Sequence, residues 1–418
     1  NLLYNIVDRI YIARIPEIGT SALGAVGLCF PIIVIITAFS NLFGTGGAPL
    51  FSIFRGKKDP DTARRIMNTS FTMLCVCAMI LMTVGFLFAR PILILFGASA
   101  EAIVYAYPYM MLYLIGTLPS MIAVGMNPFI NAQGYSSIGM LSVAIGAGTN
   151  LVLDPLFIFA LGLGVRGAAI ATVIGQISAL LLYIIVYRRN SYAVHISFKH
   201  LVFDKAIIRQ IYSVGIPSTV MMLLPSILIS VLNSILTAFS DVYVAVLGVY
   251  FKLQTFIYMP ANGIVQGMRP IIGYNYGAGE SSRVKSTIRY SLLTAAGLML
   301  TGTILALALP KQILSLFDAD AALMSAGVTA LRIISLGFLV SSVGLIYSGV
   351  FEAIGNGRNS LIISLLRQFV ITIPLSFILT RFFGPTGVWI SFPVGELCAS
   401  AAAFCLLKKY QNGAFSPL

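Results

Sequence analysis

Apolar residues run along this chain in long blocks, and short polar or Gly/Pro-rich stretches interrupt them at regular intervals. The blocks fall at about 1–15, 21–54, 64–89, 101–130, 137–161, 165–187, 204–239, 242–275, 286–309, 322–353, 359–380 and 386–407. A membrane-spanning helix takes roughly 20 apolar residues, so the pattern predicts twelve spans with short connections, which use up the whole chain. The first block is already apolar at Asn1, so the start of span 1 is expected to lie upstream of it, and no signal peptide is read.

Composition supports the same class. Of 418 residues, 58% are hydrophobic and 9% charged, and the mean hydropathy is +0.96. A soluble domain is about half apolar and a quarter charged, so a cytosolic enzyme, a nucleic-acid binder and a disordered chain are all excluded. The net charge of +13 does not change this, because the 26 Lys and Arg are spread along the chain and form no dense basic face. Cys29, Cys75, Cys77, Cys398 and Cys405 lie in apolar stretches without Cys-x-x-Cys spacing and read as buried packing residues. His195 and His200 share one polar loop with no thiol nearby, which argues against a zinc site.

The basic residues do set the topology. Sixteen Lys and Arg fall in alternate loops on one side, among them Arg55, Lys57, Lys58, Arg64, Arg65, Arg188, Arg189 and Lys205; five fall on the other, and five within spans. Basic residues of short loops stay in the cytoplasm, so both termini are expected there. Sliding the sequence along itself by 221 positions pairs Asn41 with Asn262, Gly46 with Gly267, Pro49 with Pro270, Gly56 with Gly277 and Gly134 with Gly355; a shift of 220 pairs Gly164, Gly167 and Gly175 with Gly384, Gly387 and Gly395. Such a run of matches indicates duplication. The fold class is therefore an all-α polytopic membrane protein with twelve transmembrane helices. They form two parallel six-helix lobes related by a pseudo-two-fold axis along the membrane normal. Residues 1–190 make the N-lobe, 191–203 an interlobe loop on the cytoplasmic side and 204–418 the C-lobe.

Four acidic residues, Asp8, Asp154, Glu352 and Glu396, fall within or at the edge of spans. An ionised carboxylate in hydrocarbon costs at least about 2.5 kcal/mol, so each needs a partner, a proton or a wet cavity. Asp8, Asp154 and Thr172 all lie about seven residues, or ~10 Å, below the outer surface, and Asn150 is the i,i+4 neighbour of Asp154. Two carboxylates, an amide and a hydroxyl at one level suit a proton trap or a sodium cage. Pro155 removes a backbone donor and is expected to kink span 5 beside the acid. At the repeat offsets the second half carries Ile229, Phe369, Ile373 and Phe392, so this chemistry belongs to the first half alone. Glu352, beside Gly355, Asn356 and Gly357, is expected to reach water and cap a loop. Glu396 takes the place of Gln176, and a buried hydrogen bond is expected there.

Tyr4-Asn-Ile-Val-Asp8, the run from Asn150 through Asp154-Pro155 to Gly164, Gly167 and Thr172, and Pro270-Ile-Ile-Gly-Tyr-Asn275-Tyr-Gly277 together resemble the multidrug and toxic compound extrusion (MATE) family, in its bacterial DinF-like branch. The resemblance covers essentially the whole chain. It implies a multi-pass transporter of the cell membrane, expected as a monomer and without enzymatic activity. Such a protein exports amphipathic, mostly cationic drugs by alternating access, driven by inward proton or sodium flow. No resident cofactor and no nucleic-acid partner are expected; the partners are the lipid bilayer and the drugs. By the same resemblance the coupling site is Asp8, Asn150, Asp154 and Thr172, which would also be the metal ligands if sodium is the ion, while Tyr4 and Asn127 match cavity-lining positions. Met221, Met222, Met259 and Met268 read as a candidate adaptable apolar wall for drugs. The alternative is a flippase of a lipid-linked precursor from the same superfamily, which would need basic residues such as Lys252, Arg269, Arg332 and Arg367 to converge on its cleft. An intramembrane enzyme would want a nucleophile or metal motif, and none is present.

Overall fold

The computed structural model of the chain describes residues 10–16, 18–189, 204–317 and 320–414. Every regular element among them is helical. Span 2 is Gly19–Gly56, span 3 Pro60–Leu95, span 6 Gly164–Arg189, span 7 Lys205–Thr237, span 8 Asp241–Gly277, span 9 Ser281–Ala308 and span 12 Thr386–Ala414. Span 5 runs Ser136–Pro155 and continues through a π-helical turn, Leu156–Ala160. Span 11 is Gly357–Leu365, a π-helical stretch Leu366–Thr372 and then Ile373–Phe383. Nine such helices are long and apolar enough to cross a membrane, and two bent pairs bring the number of spans to eleven among the described residues. Of span 1 only residues 10–13 are described as helix.

The bent pairs correct the expectation of unbroken helices at 101–130 and 322–353. Span 4 divides into Ala100–Ile115 and Thr117–Ala132 at an angle of 55°, and span 10 into Ala321–Ser335 and Phe338–Ala353 at 51°. In span 4, Pro119 has no N–H to give to the carbonyl four residues back, and the helix breaks at Gly116. In span 10 the turn tightens, with Leu336 N–H donating to Ile333 O (3.3 Å) and Gly337 N–H to Ile334 O (3.0 Å). The Thr303 hydroxyl from span 9 donates to Ser335 O (3.2 Å), satisfying a carbonyl that the break releases. Gly116 and Gly337 are 221 residues apart, so each half of the repeat is broken at the same place.

The chain forms two compact units. One comprises 1–51 and 60–215, the other 52–59 and 216–418. Within the first, spans 5 and 6 pack most closely, because small residues line both. A Cβ on Gly175 would lie 2.7 Å from Gly146 O, and one on Gly167 would lie 2.6 Å from Phe157 O. Ala168, Ala169 and Ala171 are fully buried on the same helix. Within the second unit, the end of span 2 meets the end of span 8. Cβ atoms on Gly56 and Gly277 would each fall 1.9 Å from a carbonyl of the other helix, Tyr274 O and Ile53 O. Those two carbonyls belong to residues related by the same shift of 221.

Span 7 begins at a cap. Asp204 accepts from the backbone N–H groups of Ala206 (2.9 Å) and Ile207 (3.3 Å) and pairs with Arg65 at the start of span 3. This contact joins the start of span 3 to the start of span 7 within the first unit. The Ile207 N–H, followed by the Ala206 N–H and Arg65, holds the Asp204 carboxyl below its ordinary range against the opposing effect of burial. Cys398 and Cys405 depart from the expected burial and are exposed on span 12, whereas Cys29 is buried. In a bilayer an apolar side chain need not be covered by protein, because lipid tails are equally apolar.

Two outcomes are expected. Gly167→Ala should destabilise the detergent-solubilised protein by about 1–3 kcal/mol through overpacking, while Gly148→Ala, whose Cβ would meet nothing within 4 Å, should not; equal thermal midpoints would contradict the tight contact of spans 5 and 6. Asp204→Asn should lower the thermal midpoint at neutral pH. A carboxyl depressed by folding contributes stability above its unfolded titration range and loses it as the pH falls through its folded value. The two proteins should therefore converge in acid, and a constant difference down to strong acid would be the contrary result.

Candidate functional site in the N-lobe

Asn150 and Asp154 lie one turn apart on span 5 and so share a face, and Thr172 on span 6 faces them. The Gly146–Gly175 approach makes this possible: a Cβ on Gly175 would also sit 3.3 Å from the Asn150 Cβ, so the two backbones come close enough for short polar side chains to meet. Asn150 Nδ2 uses both of its hydrogens, donating to Asp154 Oδ1 (3.0 Å) and to Thr172 Oγ1 (3.3 Å). The Thr172 hydroxyl in turn donates to Ala168 O (3.0 Å), which turns its lone pairs toward Asn150. All three side chains are buried, and Asp154 is completely so. The Asn150 side-chain oxygen is also buried, with no hydrogen-bond partner among the described residues. Pro155 follows directly, and the π-helical turn Leu156–Ala160 begins after it, with Leu161 N–H reaching back five residues to Leu156 O (2.9 Å).

Three of the four residues singled out for coupling therefore converge, and the fourth, Asp8, lies outside the described residues, as does Tyr4. Burying a carboxylate between apolar helices costs several kcal/mol unless a counter-charge or proton accompanies it. The constellation offers oxygens of three kinds around one point: a carboxylate, an amide carbonyl and a hydroxyl. Those donors suit a proton or a hard monovalent cation and not a soft metal. Among the described residues no three His, Cys, Asp or Glu side chains cluster.

The residues proposed for the drug wall are placed differently. Asn127 donates from Nδ2 to Gly139 O (3.2 Å) and accepts from Asn131 Nδ2 (3.0 Å), a knot between the inner ends of spans 4 and 5. Met221 accepts from the hydroxyl of Ser364 (3.1 Å). Met222 and Met259 are exposed, and Met268 is buried.

Reading the sequence one residue at a time missed the charge pairs of the second unit. Glu352, expected to reach water, is only 5% exposed. It pairs with Arg269 of span 8 (2.5 Å) and accepts from the Ser360 hydroxyl (2.9 Å). The correction has a simple cause: the second half of the bent span 10 meets span 8, whose Arg269 reaches the carboxylate. Glu396 is likewise buried and pairs with Arg367 of span 11 at 3.7 Å. It does occupy the place of Gln176, since Gln176 lies against the Gly116 break and Glu396 against Gly337. The available signal was the number of charges within spans, where two acids and several bases in one half invite pairing.

A family model described as MatE matches residues 1–156 and 217–378. The chain is 28% identical over 405 residues to the multidrug export protein MepA of Staphylococcus haemolyticus, covering 97% of this chain and 89% of that one. Its fold matches a solved MATE structure in the bent conformation with a TM-score of 0.91 at 25% identity, covering 99% of this chain and 92% of the other. It also matches the outward-facing conformation of a multidrug resistance MATE family transporter of the MOP superfamily with a TM-score of 0.89 at 25% identity, covering 100% and 93%. Eleven spans among the described residues, a duplicated sequence and a match to the family model over most of the length agree, and the chain belongs to the MATE family of multidrug efflux transporters.

Proposed function

We propose that this protein is a cation-coupled antiporter of the cell membrane that exports amphipathic, mostly cationic compounds, with both termini in the cytoplasm. The observation that carries the reading is the buried Asn150–Asp154–Thr172 constellation, which the second half of the repeat lacks, having Phe369, Ile373 and Phe392 in those places. A structural polar cluster could have been retained in both copies; a coupling site is needed in only one. Asp8 is proposed as its second carboxylate.

In this reading the site takes up a proton or a sodium ion from the outer side. A proton settles on Asp154, which already accepts from Asn150. A sodium ion would draw on the Asp154 and Thr172 oxygens and on Asn150 Oδ1, the atom left without a partner. Either occupant removes the cost of the bare carboxylate, so the states that admit and expel the ion differ in free energy, by about 1.4 kcal/mol for each tenfold ratio of affinity. A cationic drug draws on the same negative charge, so drug and ion compete and exchange. The π-helical turn after Pro155 gives span 5 a place where its register changes without breaking all its hydrogen bonds. The flippase alternative requires free basic residues, and two of the four that it would use, Arg269 and Arg367, are each held by a carboxylate.

In proteoliposomes, drug accumulation should follow an imposed proton or sodium gradient, and a response to neither would remove the antiporter reading. Asp154→Asn should abolish accumulation while leaving expression and thermal midpoint near those of the unaltered protein. Thr172→Ala should weaken ion dependence by a smaller factor, since it removes one oxygen and no charge. Unchanged efflux in Asp154→Asn would eliminate the site.

A further inference from the structure

The second unit holds a charged pair near the bilayer midplane that the N-lobe reading does not use. Glu396 lies ten residues into span 12 from its outer start and Arg367 ten residues into span 11 from its inner start, about 15 Å deep from either face. Gly395 brings the two helices together: a Cβ there would fall 2.3 Å from Thr372 Oγ1 and 3.2 Å from Arg367 O. The Thr372 hydroxyl donates to Arg367 O (2.6 Å), spanning the five-residue reach of the π-helical stretch Leu366–Thr372. Both lobes therefore carry a π-helical turn beside their buried carboxylate.

The pair itself is incompletely satisfied. Its contact is 3.7 Å, longer than a hydrogen bond, and involves one nitrogen and one oxygen. Glu396 Oε2 is buried without a hydrogen-bond partner, and so is Gln368 Oε1 on the next residue of span 11. Arg367 and Tyr258 and Tyr250 of span 8 are the charged and titratable groups that face Glu396. Span 10 supplies the Ser341 hydroxyl, which accepts from Tyr258 (2.7 Å). The Tyr258 hydroxyl also lies within reach of Glu396 but gives its hydrogen to Ser341, which leaves Glu396 Oε2 and Gln368 Oε1 as buried acceptors.

We propose that Glu396 is a second proton-binding site of the transporter, in the C-lobe, taking a proton on Oε2 as its contact with Arg367 opens. The proton comes from a hydronium ion of the bathing water, whose O–H bond breaks as the O–H bond on the carboxylate forms, and the carboxylate is neutralised. Arg367 keeps its charge, and its side chain is 26% exposed. Occupancy changes the contact between spans 11 and 12 at the π-helical stretch, which gives the C-lobe a proton-dependent rearrangement of its own. This inference is independent of Asp154.

Trp389, the single tryptophan, lies seven residues before Glu396 on the same face of span 12 and is buried in the apolar cluster that contains Tyr250 and Phe392. It reports on this site. In nanodisc-reconstituted protein, acidification should produce a protonated-carboxyl C=O band in infrared difference spectra together with a change in Trp389 emission. Glu396→Gln should lose the emission change and that part of the band; Asp154→Asn should keep the emission change, which separates this site from the N-lobe one. Arg367→Gln should keep the response and move its midpoint. If Glu396→Gln does not fold, the neutral double variant Arg367→Gln/Glu396→Gln replaces it, since removing both charges leaves no bare ion in the membrane. An emission change that persists unaltered in either Glu396 variant overturns the proposal.

Discussion

A carboxylate buried between two apolar helices is the constraint on which the first unit turns. Asp154 accepts from Asn150 on its own helix, and spans 5 and 6 approach closely enough for Thr172 to accept from the same amide and hold it in place. That approach depends on Gly146, Gly175 and the buried alanines of span 6. Small residues and a charged residue are thus two halves of one requirement. In a membrane there is no hydrophobic drive between helices, so packing and polar contacts must supply the association.

The duplicated half meets the same problem by another route. Where the first half has Asn127, Asn131 and Gly139, the second has Ser348, Glu352 and Ser360, each 221 positions on, and each trio meets at the inner ends of a bent span and its successor. The first version is neutral and hydrogen-bonded. The second carries a charge, and Arg269 neutralises it. At the next level Gln176 and Glu396 occupy equivalent places, and again the charged version is matched by an arginine. Gene duplication preserved the backbone, the bends and the close contacts, while the two halves divided the electrostatics between them: a carboxylate among neutral oxygens in one, compensated pairs in the other. Removing one member of a buried pair is far costlier than removing both, so the close Arg269–Glu352 pair ties spans 8 and 10 together.

How much of this was legible beforehand follows from what each signal measures. Eleven of the twelve apolar blocks appear as spans among the described residues, because the length of an apolar run is set by the bilayer and not by neighbours. Asn150, Asp154 and Thr172 were found together by counting depth, since rise per residue is constant in a helix. The bends at Gly116 and Gly337 were not found, because hydropathy is blind to a missing N–H or to a hydroxyl from another span. Glu352 was misjudged for the same reason: its distance from a loop says how near water is along its own helix and nothing about the arginine that covers it.

The sequence by itself determined the class, the positions of the eleven described spans, the duplication and the grouping of Asn150, Asp154 and Thr172. These are one-dimensional quantities, fixed by hydration cost and helical rise. Only the tertiary structure decided which charges meet. Arg269 with Glu352 and Arg367 with Glu396 are separated by 83 and 29 residues, and such pairing is governed by bends, π-helical register and glycine contacts that act between helices and leave no periodic trace in any one of them.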